Sequence, residues 1–362
     1  MPSRDNQPMN FALTEDQQMI RDAAERFLTE AIDSAAVRRA MESELGYDDA
    51  IWRRIGSELG WCGIAIREEH GGLGLGPVEL VLVQEQAGRR LLSSPFFASV
   101  CLVAMVLREL GSEEAQREYL PRIADGSLRA SMPLPSQGWT QLGTRLPDAA
   151  AAEVLFLPRP LPDGRVGLVA IEPKEAHITP LTAWDATRRF AEVESSAHGK
   201  RIDDPLRSGE GVLRAIALAR LYIAAEQLGG AQQCLDSTVA YVANRKQFGR
   251  AIASFQAVKH RCAQMMVAIE ATRSMVYGAA AMAASGAPTA LLAVECAAAK
   301  ALASETYFEC AQEAIQLHGG VGFTWEFDAH LHFKRAQASS HWLGAPDSLH
   351  DFLAAPLFAS AA

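Results

Sequence analysis

The chain has 362 residues, 49% of them apolar and 21% charged, with 43 acidic against 34 basic side chains and a formal net charge of −9. This length allows one large domain or two to three ordinary ones. The composition excludes a mainly disordered chain, and the acidic balance leaves no electrostatic basis for general nucleic-acid binding. Aromatic residues are sparse at 7%, while alanine, the best helix former, dominates the C-terminal half, so the fold is expected to be mainly α.

The first zone, residues 1–128, reads as a domain of short helices. Its N-terminus, MPSRDNQPMNFALTEDQQ, is polar and lacks the apolar core of a signal peptide. Thr14 and Gln17 form a capping box, followed by Met19, Ile20, Ala23, Ala24 and Phe27 at helical spacing. A second helix is expected around Ile51, Trp52, Ile55 and Leu59. In EEHGGLGLGP the glycines break any helix, and the stretch is read as an interhelical turn. A phosphate cradle is disfavoured because no strand precedes it. Two further helices are expected over 79–92 and 95–110, and Ser112 caps a last one through EEAQREYLPRIA.

Residues 129–205 change character. Runs such as EVLFLP and RVGLVAIEP are bounded by turn residues, and the DG pair at 163–164 between them signals a hairpin, so this zone is expected to be a small β domain. The third zone, residues 206–362, returns to long helices over 209–245, 255–285 and 288–316, each apolar at i, i+3 and i+4. Such helices stabilise one another as a bundle. Six widely spaced cysteines, Cys62, Cys101, Cys234, Cys262, Cys296 and Cys310, form no metal or redox motif and are expected to be reduced, with no metal bound. No run reaches the ~20 apolar residues of a membrane span, so a cytoplasmic protein is expected.

Helices, a small β domain and then a long-helix bundle bring the third zone's motifs into view. YVANRKQFG at 241–249, FQ at 255–256 and QLHGGVGFTWEFD at 316–328 closely resemble two signatures of the acyl-CoA dehydrogenase family. LTEDQQMIRDAAERF and GWCGIAIREEHGGLGLG resemble that family's opening helices and first loop, so the likeness covers nearly the whole chain. The resemblance implies an N-terminal helical domain, a β-barrel in the middle, here truncated, and a C-terminal four-helix bundle. It further implies an oligomer, FAD as cofactor, an acyl-CoA substrate and an electron-accepting flavoprotein. Family members oxidise an acyl-CoA thioester to the enoyl-CoA: a carboxylate removes the α-proton while a hydride passes to the flavin.

By the same resemblance Arg245, Gln247 and Phe248 contact FAD bound mainly to a neighbouring subunit, and Gln316, Leu317, Gly319 and Gly320 belong to the second cofactor-contacting signature. The residue chemistry suits this. A guanidinium forks onto a pyrophosphate, a phenyl ring packs on the cofactor's rings, and glycines admit a ligand close to the backbone. Each feature also has a plainer explanation, since Arg245 could close a helix against its dipole and the glycine pair could be a helix cap.

The departures from the family pattern matter as much. One usual position of the catalytic Glu falls on Leu343 and the other, one residue before Arg220, falls on Ala219, so the catalytic base is unknown. The flavin-contacting segment expected near 131–141 reads SMPLPSQGWTQ, without the family's acid and small polar residues. The middle domain is also short. Together these features resemble the shorter subunits of bacterial heterotetrameric acyl-CoA dehydrogenases, whose partner supplies the base. Glu226 and Asp347 are possible substitute bases, with surface or capping roles as the plainer expectation for each. His341 and Trp342, flanking the empty position, are poor bases for a weakly acidic carbon. The leading reading is therefore a base-lacking subunit paired with a Glu-bearing paralogue. The alternatives are a self-sufficient homo-oligomer using Asp347, a non-catalytic structural subunit, or a relative repurposed for DNA.

Overall fold

A computed structural model describes residues 12–134, 145–160, 166–204, 206 and 208–359. The capping box forms as expected. Thr14 Oγ1 accepts from the Gln17 amide at 3.2 Å and Gln17 Oε1 from the Thr14 amide at 3.0 Å, opening α1 (Glu15–Ala31). A helix not anticipated from the sequence follows almost at once. Asp33 caps α2 (Ser34–Glu42) by accepting from the Ala36 amide, and only two residues separate it from α1. The helix expected around Trp52 is α3 (Asp49–Arg53), which passes into a π-helical turn over Arg54–Glu58. The glycine-rich stretch is a tight turn. Gly71 and Gly74 adopt left-handed φ angles of 75° and 64°, and a Cβ on Gly72 would lie 2.2 Å from the Ile66 carbonyl oxygen. Then come α4 (Pro77–Arg89), a π-helical segment over Phe97–Ala104 continuing as α5 (Met105–Leu110), and α6 (Glu113–Ala124), which Ser112 caps.

The β region forms two small sheets. β1 (Ala130–Ser131), β3 (Val154–Pro160), β4 (Val166–Ile171) and β7 (Lys200–Arg201) make one in the order β1-β3-β4-β7. β2 (Arg145–Pro147), β6 (Phe190–Glu194) and β5 (His177–Leu181) make the other. β3 and β4 pair antiparallel from Leu155↔Ile171 to Pro160↔Val166, while the DG pair between them lies outside the described residues. Strand alternation explains how two sheets and a helical layer share so few residues. Leu155 and Leu157 enter the core between the sheets with Leu146, Val169 and Val193, while Val154 and Phe156 face the helices. Of the 131–141 segment, whose composition departs from the flavin-contacting pattern, residues 135–141 also lie outside the described residues.

The remaining chain is helical: α7 (Ser208–Asn244, 37 residues), α8 (Gln256–Ala284), α9 (Thr289–His318), α10 (Ala329–Ser340) and α11 (Pro346–Ala359). α7 runs through the centre of these contacts, packed against α4, α5, α8 and α9. It crosses α4 at backbone contact. A Cβ on Gly229 would lie 1.8 Å from the Glu85 carbonyl oxygen, and one on Gly88 would lie 1.9 Å from that of Glu226. The architecture is thus mainly α with a small β region. All six cysteines are free, five of them buried. Among the described residues no helix is long and apolar enough to cross a membrane and no cluster of side chains could hold a metal ion.

Candidate active and cofactor sites

α7 ends at Asn244, and the RKQFGRA sequence that follows folds into a tight hairpin. β8 (Lys246–Gln247) pairs with β9 (Arg250–Ala251), and Phe248 and Gly249 form the tip with φ angles of 52° and 77°. Two successive left-handed residues suit a two-residue hairpin turn, but phenylalanine is an uncommon choice at the first of them. Its ring is 91% exposed, with only the edge-to-face contact to Phe255 at 6.1 Å. Arg245 is exposed, and its guanidinium has no partner among the described residues. Gln247 is exposed as well, its amide donating only to the neighbouring Lys246 carbonyl.

The second signature ends α9. Gly319 takes a left-handed φ of 66° as the helix stops, so the helix-cap explanation holds for that glycine. It does not hold for Gly320. That residue has no left-handed φ, and a Cβ there would meet nothing within 4 Å, so nothing within this chain demands glycine. This open glycine stands beside exposed Gln316 and half-buried Leu317 and leaves the backbone there accessible from outside. The two signatures are adjacent in space, because Tyr241 of α7 stacks on His318 of α9 at 4.3 Å and both rings meet Phe327. A cavity of about 240 Å³ opens beside His318, lined by Arg89, Arg90, Phe327, Asp328 and His332 among others.

The two positions usual for the base are linked through Arg220. Arg220, next to Ala219 on α7, donates from Nε to the Leu343 carbonyl oxygen at 2.9 Å. Neither position is open: Ala219 is 1% and Leu343 2% exposed. Trp342 closes the junction, its ring 5.7 Å from that of Phe97 in the helical zone and 5.2 Å from that of Phe190 on β6. Asp347 lies exposed in the first turn of α11, where its charge favours the helix N-terminus. His341 is exposed too.

Glu226 departs from expectation: it is neither a surface nor a capping residue but lies 2% exposed within a charged network. Arg335 donates to Glu226 at 2.8 Å and to Asp185 at 2.9 Å, Gln84 donates to Glu226 at 2.8 Å, and Arg188 reaches the same carboxylate. Burial alone would raise the Glu226 carboxyl, but the Arg188 and Arg335 guanidiniums overturn that and hold it below the ordinary range. A carboxylate so committed has no oxygen to offer a substrate proton. Asp148, beside the same arginines, is pushed up to about 7 by burial, which outweighs their attraction.

A lysine completes the picture. Lys300 on α9 is fully buried, donating to Ser304 Oγ at 2.6 Å and to the carbonyl oxygen of Ser340, the last residue of α10, at 3.2 Å. Burial, and then the Arg220 charge beside it, pushes its ammonium down to about 7. The folded value lies below the unfolded one, so between these two values the unfolded chain holds the extra proton. This group's contribution to stability therefore rises with pH above about 7. Urea unfolding at pH 6.5 and 8.5 is expected to show the wild type gaining about 2 kcal/mol relative to Lys300→Met over that interval. Equal pH slopes would mean that Lys300 titrates as an ordinary lysine.

Known proteins resemble this arrangement throughout. Residues 14–127 match the acyl-CoA dehydrogenase N-terminal domain, and residues 209–358 match the acyl-CoA dehydrogenase C-terminal domain. The chain therefore belongs to the acyl-CoA dehydrogenase family of oxidoreductases. Among curated relatives it is 33% identical over 340 residues to the acyl-CoA dehydrogenase IpdE2 of Mycobacterium tuberculosis, covering 92% of this chain and 94% of that one. Among solved structures it resembles a variant of the Tcur3481–Tcur3483 steroid ACAD, with a TM-score of 0.83, 25% identity and coverage of 96% and 99%. The butyryl-CoA dehydrogenase of Megasphaera elsdenii shares the fold, with a TM-score of 0.86, 22% identity and coverage of 97% and 100%.

Proposed function

We propose that this chain is the base-lacking subunit of a flavin-dependent acyl-CoA dehydrogenase, working beside a paralogous chain that carries the catalytic Glu. One observation carries this reading. Ala219, at a usual base position, and Asn244, at the threshold of the cofactor motif, stand about 38 Å apart on α7 at 1.5 Å of rise per residue. Arg245 and its neighbours thus face outward, far from this chain's own junction, and a dinucleotide they hold has its reacting end on another subunit. The residue chemistry fits FAD there. Arg245 is an uncommitted fork for a pyrophosphate, Phe248 an exposed ring, Gln316 an amide, and Gly320 an opening with no other use. When bound, the flavin supplies the hydride acceptor. This chain's residues hold its far end, and an external flavoprotein takes the electrons. The resemblance to the paired Tcur3481–Tcur3483 protein supports a two-chain assembly.

Co-expression with Glu-bearing paralogues, followed by absorbance of the purified assembly, tests this reading. A yellow two-chain complex is expected; a colourless one, or a yellow assembly of this chain alone, refutes it. Within the complex, Arg245→Ala removes charge-assisted bonds worth about 2–4 kcal/mol in cofactor binding. Flavin occupancy should fall while helical content stays the same. Unchanged occupancy would reduce Arg245 to a surface residue at the end of a helix.

A further inference from the structure

By the family reading, the turn between α10 and α11 carries, at Leu343, one of the usual positions of the catalytic base. It is held there more firmly than a short loop needs. Trp342 packs on Phe97 and Phe190, rings contributed by the helical and β regions, and the Arg188 guanidinium lies over its ring at 5.5 Å. Trp342 therefore ties all three regions together at one point. Leu343 adopts a left-handed φ of 60°, a costly conformation for leucine, and its carbonyl is taken by Arg220. Gly344 follows at φ 119°, and a Cβ there would lie 2.8 Å from Leu349. Lys300 takes the carbonyl of Ser340 at the other end of the turn.

Arg220 and Lys300 each donate to a carbonyl at this helix end, and Ser304, Gln227 and Ser339 link Lys300 onward by neutral hydrogen bonds. The family's usual carboxylate is absent from both positions, so neither side chain has a catalytic group to orient. What they do orient is a buried indole and a leucine.

We infer that this turn is a built-in plug: Trp342 and Leu343 fill this chain's own acyl pocket, and Arg220 and Lys300 lock them in place so that no acyl-CoA enters. Identifying the junction as an acyl pocket rests on the family reading above. The plug goes further, because a missing base alone would leave a pocket still able to bind thioester unproductively. A filled pocket removes that competing site from the assembly.

Hydrogen exchange of the full chain, read by mass spectrometry on peptides covering 338–346, is the direct test. Saturating octanoyl-CoA is expected to leave exchange in that segment unchanged, and protection appearing there would overturn the plug. Arg220→Met should speed exchange of the segment about tenfold while leaving α4 and α8 unaffected, since one local lock is lost. Unchanged exchange would show that Arg220 locks nothing. Trp342→Ala should open a cavity that takes indole, seen as a rise in melting temperature with indole that the wild type lacks. A folded variant indifferent to indole would count against the plug. If the variant does not fold, the octanoyl-CoA measurement on the wild type still decides. A flavin-free complex would refute the proposed function while leaving this result on the chain's own amides intact.

Discussion

Purified alone and supplied with FAD, this chain is expected to show no measurable dehydrogenation of an acyl-CoA with an artificial electron acceptor. Taking an α-proton from a thioester needs a base in contact with that carbon, and a positioned general base is worth about 10²–10⁴-fold. Ala219 and Leu343 supply none, and both are buried. Glu226, the one carboxylate nearby on the same helix, has its oxygens committed to Arg335, Gln84 and Arg188. Activity should appear with the Glu-bearing partner and disappear when that partner's Glu is changed to Gln. The contrary result is equally specific. If the single chain turns over and Asp347→Asn abolishes the activity, the exposed first turn of α11 has moved to the substrate and the base is Asp347.

The second large effect is on stability. Arg335→Met is expected to cost about 3–5 kcal/mol, because it strands the buried Asp185 carboxylate without its cation and leaves Glu226 paired with Arg188 alone. Thr187 loses partners as well, since Arg335 donates to both its hydroxyl and its carbonyl oxygen. The network also fixes a pH dependence. The Glu226 carboxyl is held below its unfolded value, so its contribution is complete above the ordinary carboxylate range and is lost as pH falls through the lower folded value. Urea unfolding of wild type and variant at pH 7 and in mild acid checks both points. A loss under 1 kcal/mol, with no narrowing of the gap in acid, would mean that the packing around the network carries the load and the charges do not.

Features set by neighbouring residues were legible in the sequence. The Thr14–Gln17 box, the Ser112 cap, the long third-zone helices and the hairpin strands all depend on chemistry within a few positions. α2 escaped notice because Ile32 and Asp33 interrupt the helical pattern only briefly, and an Asp two residues after a helix reads as its end rather than the next one's cap. The motif at 245–249 was visible as a motif, but not as a hairpin with phenylalanine at its tip. Glu226 was misjudged for a deeper reason. Its partners are Gln84, Arg188 and Arg335, and a carboxylate's burial depends on such distant residues, which no local pattern reveals. The plug is hidden likewise: local chemistry shows Trp342 only as a poor base, whereas its ring packs with Phe97 and Phe190.

The glycine contact between α4 and α7 also bears on how the chain finds its fold. α7 is apolar around most of its circumference, so many alignments against α4 would bury similar area and differ little in energy. Only one alignment sets Gly88 against the Glu226 carbonyl and Gly229 against the Glu85 carbonyl at once. Displacing α7 by one turn would bring the long side chain of Gln232 or Gln233 to the place of Gly229 and force the axes apart. The crossing therefore acts as a registration mark. It selects one docking from a set that alanine and leucine alone would leave nearly degenerate, and it thereby fixes where along α7 both the closed junction and the outward arginine must fall.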